Sequence, residues 1–189
     1  MIQPVHLEND QILLRPILEQ DFSLLLAHTQ DKALWEYFTY DLSTLTGIRD
    51  WAQPAMNGER LQFVVVDKKS GVLMGSTAFG NYSARDQRIE IGWTWLGRDF
   101  HGKGINRQMK YLMLSHAFEN LGMQRVEIKT DVLNIPARRA VEKMGFVEEG
   151  VLRSHTLLST GRRRNTIYYS VLAEEWELLK KNDPERSHF

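Results

Sequence analysis

Two glycines lie two positions apart in the segment His101-Gly102-Lys103-Gly104-Ile105-Asn106, just before a long amphipathic stretch. Glycine has no Cβ, so the backbone here can turn sharply and approach a ligand closely. The first amides of a following helix have no carbonyl partner within that helix, and they suit a phosphate. Lys103 adds a positive charge beside them. The pattern predicts an anion-binding loop, and a plain surface turn is the other interpretation.

Other phosphate loops and most metal sites do not fit this sequence. The loop lacks a Gly-Lys-Ser/Thr ending, which argues against a nucleoside-triphosphate loop, and it lacks a third glycine with an acid ~20 residues later, which argues against a dinucleotide site. The six histidines are scattered, and no His/Asp/Glu group has metal-ligand spacing. There is no cysteine, which excludes disulfides, thiolate metal sites and a cysteine nucleophile. We therefore expect no metal.

Length and composition indicate one ordinary globular domain. The chain has 189 residues, of which 42% are apolar and 25% are charged, and Lys plus Arg equals Asp plus Glu at 24 each. The balanced charge gives no reason to expect direct nucleic-acid binding. No apolar run approaches ~18 residues, and the N-terminus lacks a signal-peptide pattern, so we expect no membrane span and a cytoplasmic location. The predicted domain is 1–189, with a frayed tail at 183–189.

The elements predicted before the glycine loop are one strand, then two helices, then three strands. Apolar spacing predicts a short strand, two helices separated by an aromatic segment, and three strands in an antiparallel meander; they span Ile12–Arg15, Glu19–Gln30, Ser43 or Thr44 to about Asn57, Gln62–Asp67, Val72–Asn81 and Arg88–Leu96. The aromatic segment 32–40 contains Trp35, Tyr37, Phe38 and Tyr40. These side chains either pack on the core or line a substrate groove.

The elements after the loop alternate between helix and strand. A helix with Ile105, Met109, Met113 and Leu121 on one side is followed by a strand at 124–131 and a helix that Asn134 caps. Two strands at 146–158 and 164–172 and a last helix at 173–181 complete the chain. The predicted fold class is α+β, with a mixed, mostly antiparallel central sheet of about seven strands flanked by helices.

Four further segments, in order along the chain, indicate a resemblance to a known family. They are Arg88-Ile89-Glu90-Ile91-Gly92-Trp93, Lys129-Thr130-Asp131-Val132-Leu133-Asn134, Glu142-Lys143-Met144-Gly145-Phe146-Val147-Glu148-Glu149-Gly150 and Glu175-Trp176. Together with the order of elements, they resemble the GCN5-related N-acetyltransferases (GNAT), in the branch of the RimJ/RimL-like ribosomal-protein N-terminal acetyltransferases. The resemblance covers nearly the whole chain.

The resemblance implies binding of acetyl-CoA as co-substrate. In the family a Gln/Arg-x-x-Gly-x-Gly/Ala loop holds the pyrophosphate; His101, Gly104 and Asn106 match its positions, and only Gly104 keeps the family residue. The residues expected to contact acetyl-CoA are Trp93, Thr94, His101, Gly102, Lys103, Gly104, Ile105, Asn106, Asn134 and Arg139. Arg138 and Lys143 are neighbouring candidates for the 3′-phosphate. His101 is expected to anchor the backbone and not to bind a metal.

The reaction that the resemblance implies is direct attack of an amine on the thioester. Glu90 is the expected base, directly or through a water, and an ordinary strand-face glutamate is the alternative. The backbone near Trp93 and Thr94 would pair with the pantetheine and stabilise developing negative charge. Ala137 occupies the position of a serine that is common in this branch, which excludes a serine acid there. Tyr168 and Tyr169 are other candidate acids or packing residues.

The acceptor is left open by the sequence. A protein N-terminal α-amine is the first expectation; a small amine such as a polyamine, amino acid or antibiotic is the second, and a non-catalytic acyl-CoA-binding module is the third. Trp35, Tyr37 and Tyr40 are the expected substrate-binding residues. The run Arg162-Arg163-Arg164 is either a solvated turn or a surface that attracts an acidic substrate. A homodimer is compatible with the sequence.

Overall fold

The computed structural model describes residues 2–182, in which one eight-stranded sheet carries helices on both faces. The strands are β1 (Leu7–Glu8), β2 (Ile12–Pro16), β3 (Leu61–Asp67), β4 (Leu73–Ser83), β5 (Arg88–Leu96), β6 (Arg125–Asp131), β7 (Val147–Leu157) and β8 (Arg163–Leu172). The helices are α1 (Asp21–Leu26), α2 (Leu45–Met56), α3 (Ile105–Ser115), α4 (Ile135–Lys143) and α5 (Ala173–Asn182). The expected frayed tail lies outside the described residues.

The sheet is antiparallel except at its centre. Its order is β1-β2-β3-β4-β5-β6-β8-β7, and only β5 and β6 run parallel. These two strands pair over Arg88–Glu90 and Arg125–Glu127. In the described chain no further pair joins them, so the sheet divides beyond Glu90 and leaves a gap between the two strands. The α+β prediction and the antiparallel meander of β3, β4 and β5 are confirmed.

Side-chain caps and glycines end the helices where the sequence predicts. Thr44 Oγ1 accepts from the amide of Gly47 at 3.0 Å, and Asn134 Oδ1 accepts from the amide of Ala137 at 3.2 Å, so each satisfies an amide in the first helical turn. Gly58 and Gly145, just beyond the ends of α2 and α4, have φ of 76° and 85°. Glycine adopts this left-handed conformation without strain, which explains the two stops.

One helix is shorter than predicted, and another changes from α- to π-helical near its end. α1 covers only Asp21–Leu26, not Glu19–Gln30, because the amides of His28 and Thr29 turn to carbonyls three residues back. α3 ends at Ser115 and continues as one π-helical turn at His116–Asn120. That turn lies against α5, where Phe118 stacks on Trp176 with ring centroids 5.9 Å apart.

Two hydrophobic cores lie on opposite faces of the sheet. Because neighbouring residues of a strand point to opposite faces, Phe63 and Val65 of β3 belong to one core and Val64 belongs to the other. The larger core packs α3, α4 and α5 against the sheet and includes Met109 and Met113. The smaller core packs α1 and α2 against the other face through an aromatic cluster, which consists of Trp35, Trp51, Trp95 and the partly buried Trp93.

Candidate active site

A β-bulge in the middle of β5 organises the site. Ser76 pairs with Trp95 and Ala78 pairs with Gly92, so β5 has one residue more than β4 between these two pairs. Trp93 in the bulge has a φ of 50°. Gly80 makes room for it, because a Cβ there would lie 2.5 Å from the Trp93 ring. The bulge directs Trp93 toward the smaller core and Thr94 toward α3.

The glycine loop follows the end of β5, beyond the part of this strand that pairs with β6. His101 lies in the loop, and its Nε2 is 2.9 Å from the carbonyl oxygen of Leu96 at the end of β5. The histidine thus anchors the loop to the strand, as its type and position suggested. Gly102 and Gly104 have φ of 72° and 77°, with open space where a Cβ would stand. Backbone conformation, not crowding, requires glycine at both positions.

The loop and the start of α3 suit an anion. Gly104 is the N-cap of α3 and offers no side chain to its first amides, which leaves them for another acceptor. Lys103 is exposed beside them, with its Nζ 5.8 Å from the centroid of the Phe100 ring. Ile105 and Asn106 begin the helix and are half-buried. Amides and a cation arranged in this way fit a pyrophosphate group.

Glu90 lies at the last pair of the β5–β6 ladder and is only 3% exposed. Its Oε2 accepts from Asn81 Nδ2 at 2.6 Å and lies 2.8 Å from Lys129 Nζ. Its Oε1 has no hydrogen-bond partner within residues 2–182. A Cβ on Gly92 would lie 3.0 Å from this oxygen, so glycine keeps the space beside it open. Glu90 is therefore a held carboxylate with one oxygen available to accept a proton.

Lys110 lies behind the bulge, on the α3 face of the sheet, and no sequence motif singled it out. Its Nζ donates to Thr94 Oγ1 at 2.6 Å and to Thr77 Oγ1 at 3.4 Å. The residue is 5% exposed, and this burial lowers the pKa of Lys110 to about 7, while the charge of Glu90 acts in the opposite direction. The one signal in the sequence was its spacing of three from Met113 and four from Leu114, both of which are buried.

The start of α4 carries Asn134 as its N-cap, and the two arginines that follow differ in their contacts. Arg138 is tied inward: Nε donates to the Tyr169 hydroxyl at 3.1 Å and Nη1 to the Val132 carbonyl at 3.2 Å. Arg139 is exposed and makes no hydrogen bond or ion pair with the described part of the chain. It is the better placed of the two for a phosphate.

The two tyrosines of β8 have different environments. Tyr169 is fully buried, and its hydroxyl donates to Glu142 Oε1 at 2.9 Å while accepting from Arg138. Burial raises its pKa, so it is a packing residue and a poor acid. Tyr168 is half-buried, and its ring centroid lies 5.9 Å from Nζ of Lys129, the partner of Glu90. Of the two tyrosines, Tyr168 is the one that contacts the lysine paired with Glu90.

The aromatic segment divides between core and surface. Trp35 is 2% exposed, packs on Trp95 and donates from its indole to the Thr29 carbonyl at 2.9 Å. As a core residue it contributes almost no surface to a groove, so its expected substrate contact is not supported by its position. Tyr37 and Tyr40 are half-buried and remain candidates.

The hairpin between β7 and β8 closes over this segment. The Ser159 amide donates to the Phe38 carbonyl at 3.0 Å, and the Arg162 guanidinium lies 6.0 Å from the Tyr37 ring centroid. Arg162 also pairs with the buried Asp131. The arginine run is therefore not a uniform solvated turn, because its first member is held in an ion pair.

Residues 2–182 contain neither a metal-binding cluster nor a membrane-spanning helix. No cluster of three or more His, Asp or Glu residues in this range can hold a metal ion. In the same range no helix has the length and apolar character needed to cross a membrane.

Comparisons with known proteins show the family of this chain. The family model described as "Acetyltransferase (GNAT) domain" matches residues 11–147. The chain is 30% identical over 180 residues to the Bacillus subtilis protein named "Putative ribosomal N-acetyltransferase YdaF". The alignment covers 89% of this chain and 95% of that protein.

Solved structures show the same fold. A GCN5-related N-acetyltransferase from Brucella melitensis superposes with a TM-score of 0.88 at 28% identity, covering 97% of this chain and 88% of that one. The ribosomal-protein-S5-alanine acetyltransferase from Vibrio fischeri superposes with a TM-score of 0.74 at 19% identity, covering 91% and 98%, a likeness of fold alone. From the matched family model and these relatives, the chain belongs to the GNAT family and is an acetyltransferase that uses acetyl-CoA.

Proposed function

We propose that the chain transfers the acetyl group of acetyl-CoA to a protein N-terminal α-amine, with Glu90 as the base. The observation that carries the proposal is the position of Glu90, where the β5–β6 ladder ends beside the bulge and one carboxylate oxygen has no hydrogen-bond partner among residues 2–182. The Bacillus subtilis relative is named a ribosomal N-acetyltransferase, and this supports a protein substrate here.

Different residues would bind the different parts of acetyl-CoA. The amides of the loop 101–106 and the cation of Lys103 would hold the pyrophosphate. Arg139 would reach the 3′-phosphate, and Asn134 would contact the cofactor while it caps α4. The backbone at Trp93 and Thr94 borders the gap, where it would pair with the pantetheine and donate to negative charge on the carbonyl oxygen.

Acetyl-CoA supplies the acetyl group as a thioester. In the transfer a nitrogen–carbon bond forms, the carbon–sulfur bond breaks, the amine loses a proton and the sulfur leaves as thiolate or gains a proton from water. Glu90 Oε1 would take the proton of the amine, directly or through a water. Asn81 and Lys129 hold the other oxygen, so the carboxylate stays in one orientation. Tyr37 and Tyr40 would line the acceptor side.

The test measures cofactor binding and turnover separately. Calorimetric titration with acetyl-CoA should show binding that Gly104→Glu removes, because this change adds a negative charge and a Cβ at a φ of 77°. CoA release with short peptides should exceed release with polyamines. Glu90→Gln should retain binding and lose about 10²–10⁴-fold in kcat/KM.

Glu127→Gln is the matched control for the base. Glu127 lies opposite Glu90 on β6 but pairs with Arg125 at 2.8 Å, so its loss should change turnover little. Equal losses in the two variants would refute Glu90 as the base. Faster release with small amines than with peptides would refute the protein acceptor.

A further inference from the structure

Arg60 precedes β3 and is a buried arginine without a carboxylate partner. It is 9% exposed, and within residues 2–182 no Asp or Glu oxygen lies within ion-pair distance of it. One guanidinium nitrogen, Nη2, donates to the Trp51 carbonyl, whereas Nε has no acceptor. A buried charge normally has an opposite charge and a full set of hydrogen bonds, because an uncompensated one destabilises the folded state.

Aromatic rings hold this guanidinium beside the bulge. Its central carbon lies 5.3 Å from a Trp51 ring centroid and 5.0 Å from a Trp93 ring centroid. Cation–π contacts of this kind partly offset lost hydration but do not supply a counter-charge. Trp93 is the bulge residue and contacts this guanidinium directly. Arg60 therefore lies next to the part of β5 that borders the gap.

The surroundings of Arg60 are rich in N–H groups that lack acceptors. Within residues 2–182 the indole Nε1 atoms of Trp51 and Trp95 are both buried without a hydrogen-bond partner, like Nε of Arg60. All three residues belong to or contact the same aromatic cluster. These three N–H groups and the guanidinium charge are complementary to an anion, although one acceptor, Gln62 Oε1, is also buried without a hydrogen-bond partner in the described chain.

Arg60 keeps its charge at neutral pH. Burial lowers the pKa of Arg60 to about 10, while Tyr40 and Glu59 act in the opposite direction. Tyr40 is one of the half-buried residues of the aromatic segment, so the charge lies beside the proposed acceptor side. The planar guanidinium has the geometry that recognises a carboxylate through two parallel hydrogen bonds.

We propose that Arg60 is a carboxylate-binding residue of the acceptor site, so the preferred acceptor carries a carboxylate close to the amine that is acetylated. This inference rests on the proposed function, because it assumes that the acceptor is an amine that the protein acetylates. Two sources have the same chemistry: an acidic side chain at the first or second position of a peptide, and the α-carboxylate of a free amino acid.

Turnover with matched acceptors tests the inference and distinguishes the two sources. Peptide pairs differ only in Asp or Asn at position 1 or 2, and alanine is compared with alaninamide. With the wild type, kcat/KM should be at least ~10-fold higher for the acid member of one pair, because bidentate recognition of an ion is lost in the amide. Arg60→Gln should remove this preference.

Arg49→Gln is the matched control, because Arg49 is an exposed arginine on the nearby helix α2. It should retain the acid preference of the wild type. Arg60→Met, checked by circular dichroism, repeats the test if Arg60→Gln fails to fold. A preference for acids that persists without Arg60, or no preference in the wild type, overturns the inference.

A binding measurement without turnover separates this inference from the proposed function. Sodium acetate is titrated against sodium chloride at fixed ionic strength, and the fluorescence of the tryptophans around Arg60 is followed. A saturable response to acetate that Arg60→Gln removes supports the anion site even if no amine is acetylated. Turnover that shows no acid preference, or an acetate response unchanged by Arg60→Gln, refutes the anion site and leaves the proposed function intact.

Discussion

Lys110 and Arg60 are both buried cations beside the bulge in β5, but they lie on opposite faces of the sheet and are held differently. Lys110 donates to two hydroxyl groups, on Thr94 and Thr77. Arg60 lies between indole rings, and its Nε finds no acceptor in the part of the chain that the structure describes. Burial lowers both pKa values, to about 7 for Lys110 and about 10 for Arg60.

The difference shows two ways of tolerating a buried charge. A lysine can release its proton near neutral pH, so the destabilisation caused by burying Lys110 can be removed without a ligand. An arginine stays protonated, so the face that carries Arg60 can be compensated only by an anion from outside. The first arrangement suits a group that positions Thr94, and the second suits a group that binds a ligand. The following substitutions test whether the two faces differ in this way.

The largest expected effect is on the pH dependence of stability in Lys110→Met. The unfolded lysine has a pKa of 10.5 and the folded one about 7, so between these values the unfolded chain binds more protons. The free energy of unfolding of the wild type should therefore rise with pH relative to the variant. The full shift sets a ceiling of about 5 kcal/mol, and a few kcal/mol are expected between pH 7 and 9.5.

Urea unfolding at several pH values measures this difference. Lys69→Met is the control, because Lys69 is exposed in the turn before β4 and its curve should run parallel to that of the wild type. If Lys110→Met also runs parallel to the wild type, Lys110 keeps its proton like Arg60, and the contrast between the faces is wrong.

A smaller effect, with no pH dependence, is expected for Arg60→Met. Replacing an uncompensated buried charge by an apolar side chain of similar length should raise the free energy of unfolding by about 1–4 kcal/mol. The gain should be the same at pH 6.5 and pH 8.5, because arginine remains charged at both. Urea unfolding of Arg49→Met gives the surface reference. A loss of stability would show that the Trp51 carbonyl and the rings already compensate the charge.

The smallest effects are expected for the hydroxyl groups that hold Lys110. Thr94→Val removes the acceptor at 2.6 Å and should cost about 1–3 kcal/mol of stability at pH 6.5, where the lysine is charged. Thr77→Val removes the acceptor at 3.4 Å and should cost less than about 1 kcal/mol. Thermal unfolding at pH 6.5 and pH 9 compares them. Equal costs at the two pH values would show that the charge of Lys110 does not matter to these bonds.

Local patterns predicted most of the fold. β5 has the bounds that alternation indicated, Arg88–Leu96, and the caps Thr44 and Asn134 and the glycine ends of α2 and α4 are where their side-chain chemistry placed them. These features depend on residues a few positions apart, so a short window contains the cause. The extent of α1 was overestimated because the residues that follow it contact distant segments, such as the His28 ring, whose centroid lies 5.3 Å from that of Phe100.

The candidate site was only partly visible in the sequence. The glycine loop and Glu90 have recognisable neighbours along the chain. Lys110 and Arg60 do not, because their burial is created by partners on other elements: Thr77 and Thr94 for the lysine, Trp51 and Trp93 for the arginine. Trp35 was expected to bind substrate but lies in the core. The sequence could not distinguish the two, because an aromatic residue in a loop can face either core or solvent, and only tertiary packing decides between them.

The early end of the β5–β6 ladder also determines how the two halves of the sheet exchange hydrogen with solvent. Only three residue pairs, Arg88–Glu90 with Arg125–Glu127, join these strands in the described chain. Amides of β5 that face the gap beyond Glu90 are therefore expected to exchange rapidly in the free protein. A ligand chain lying in the gap would act as a missing strand, so their protection would rise on binding and the sheet would become one cooperative unit.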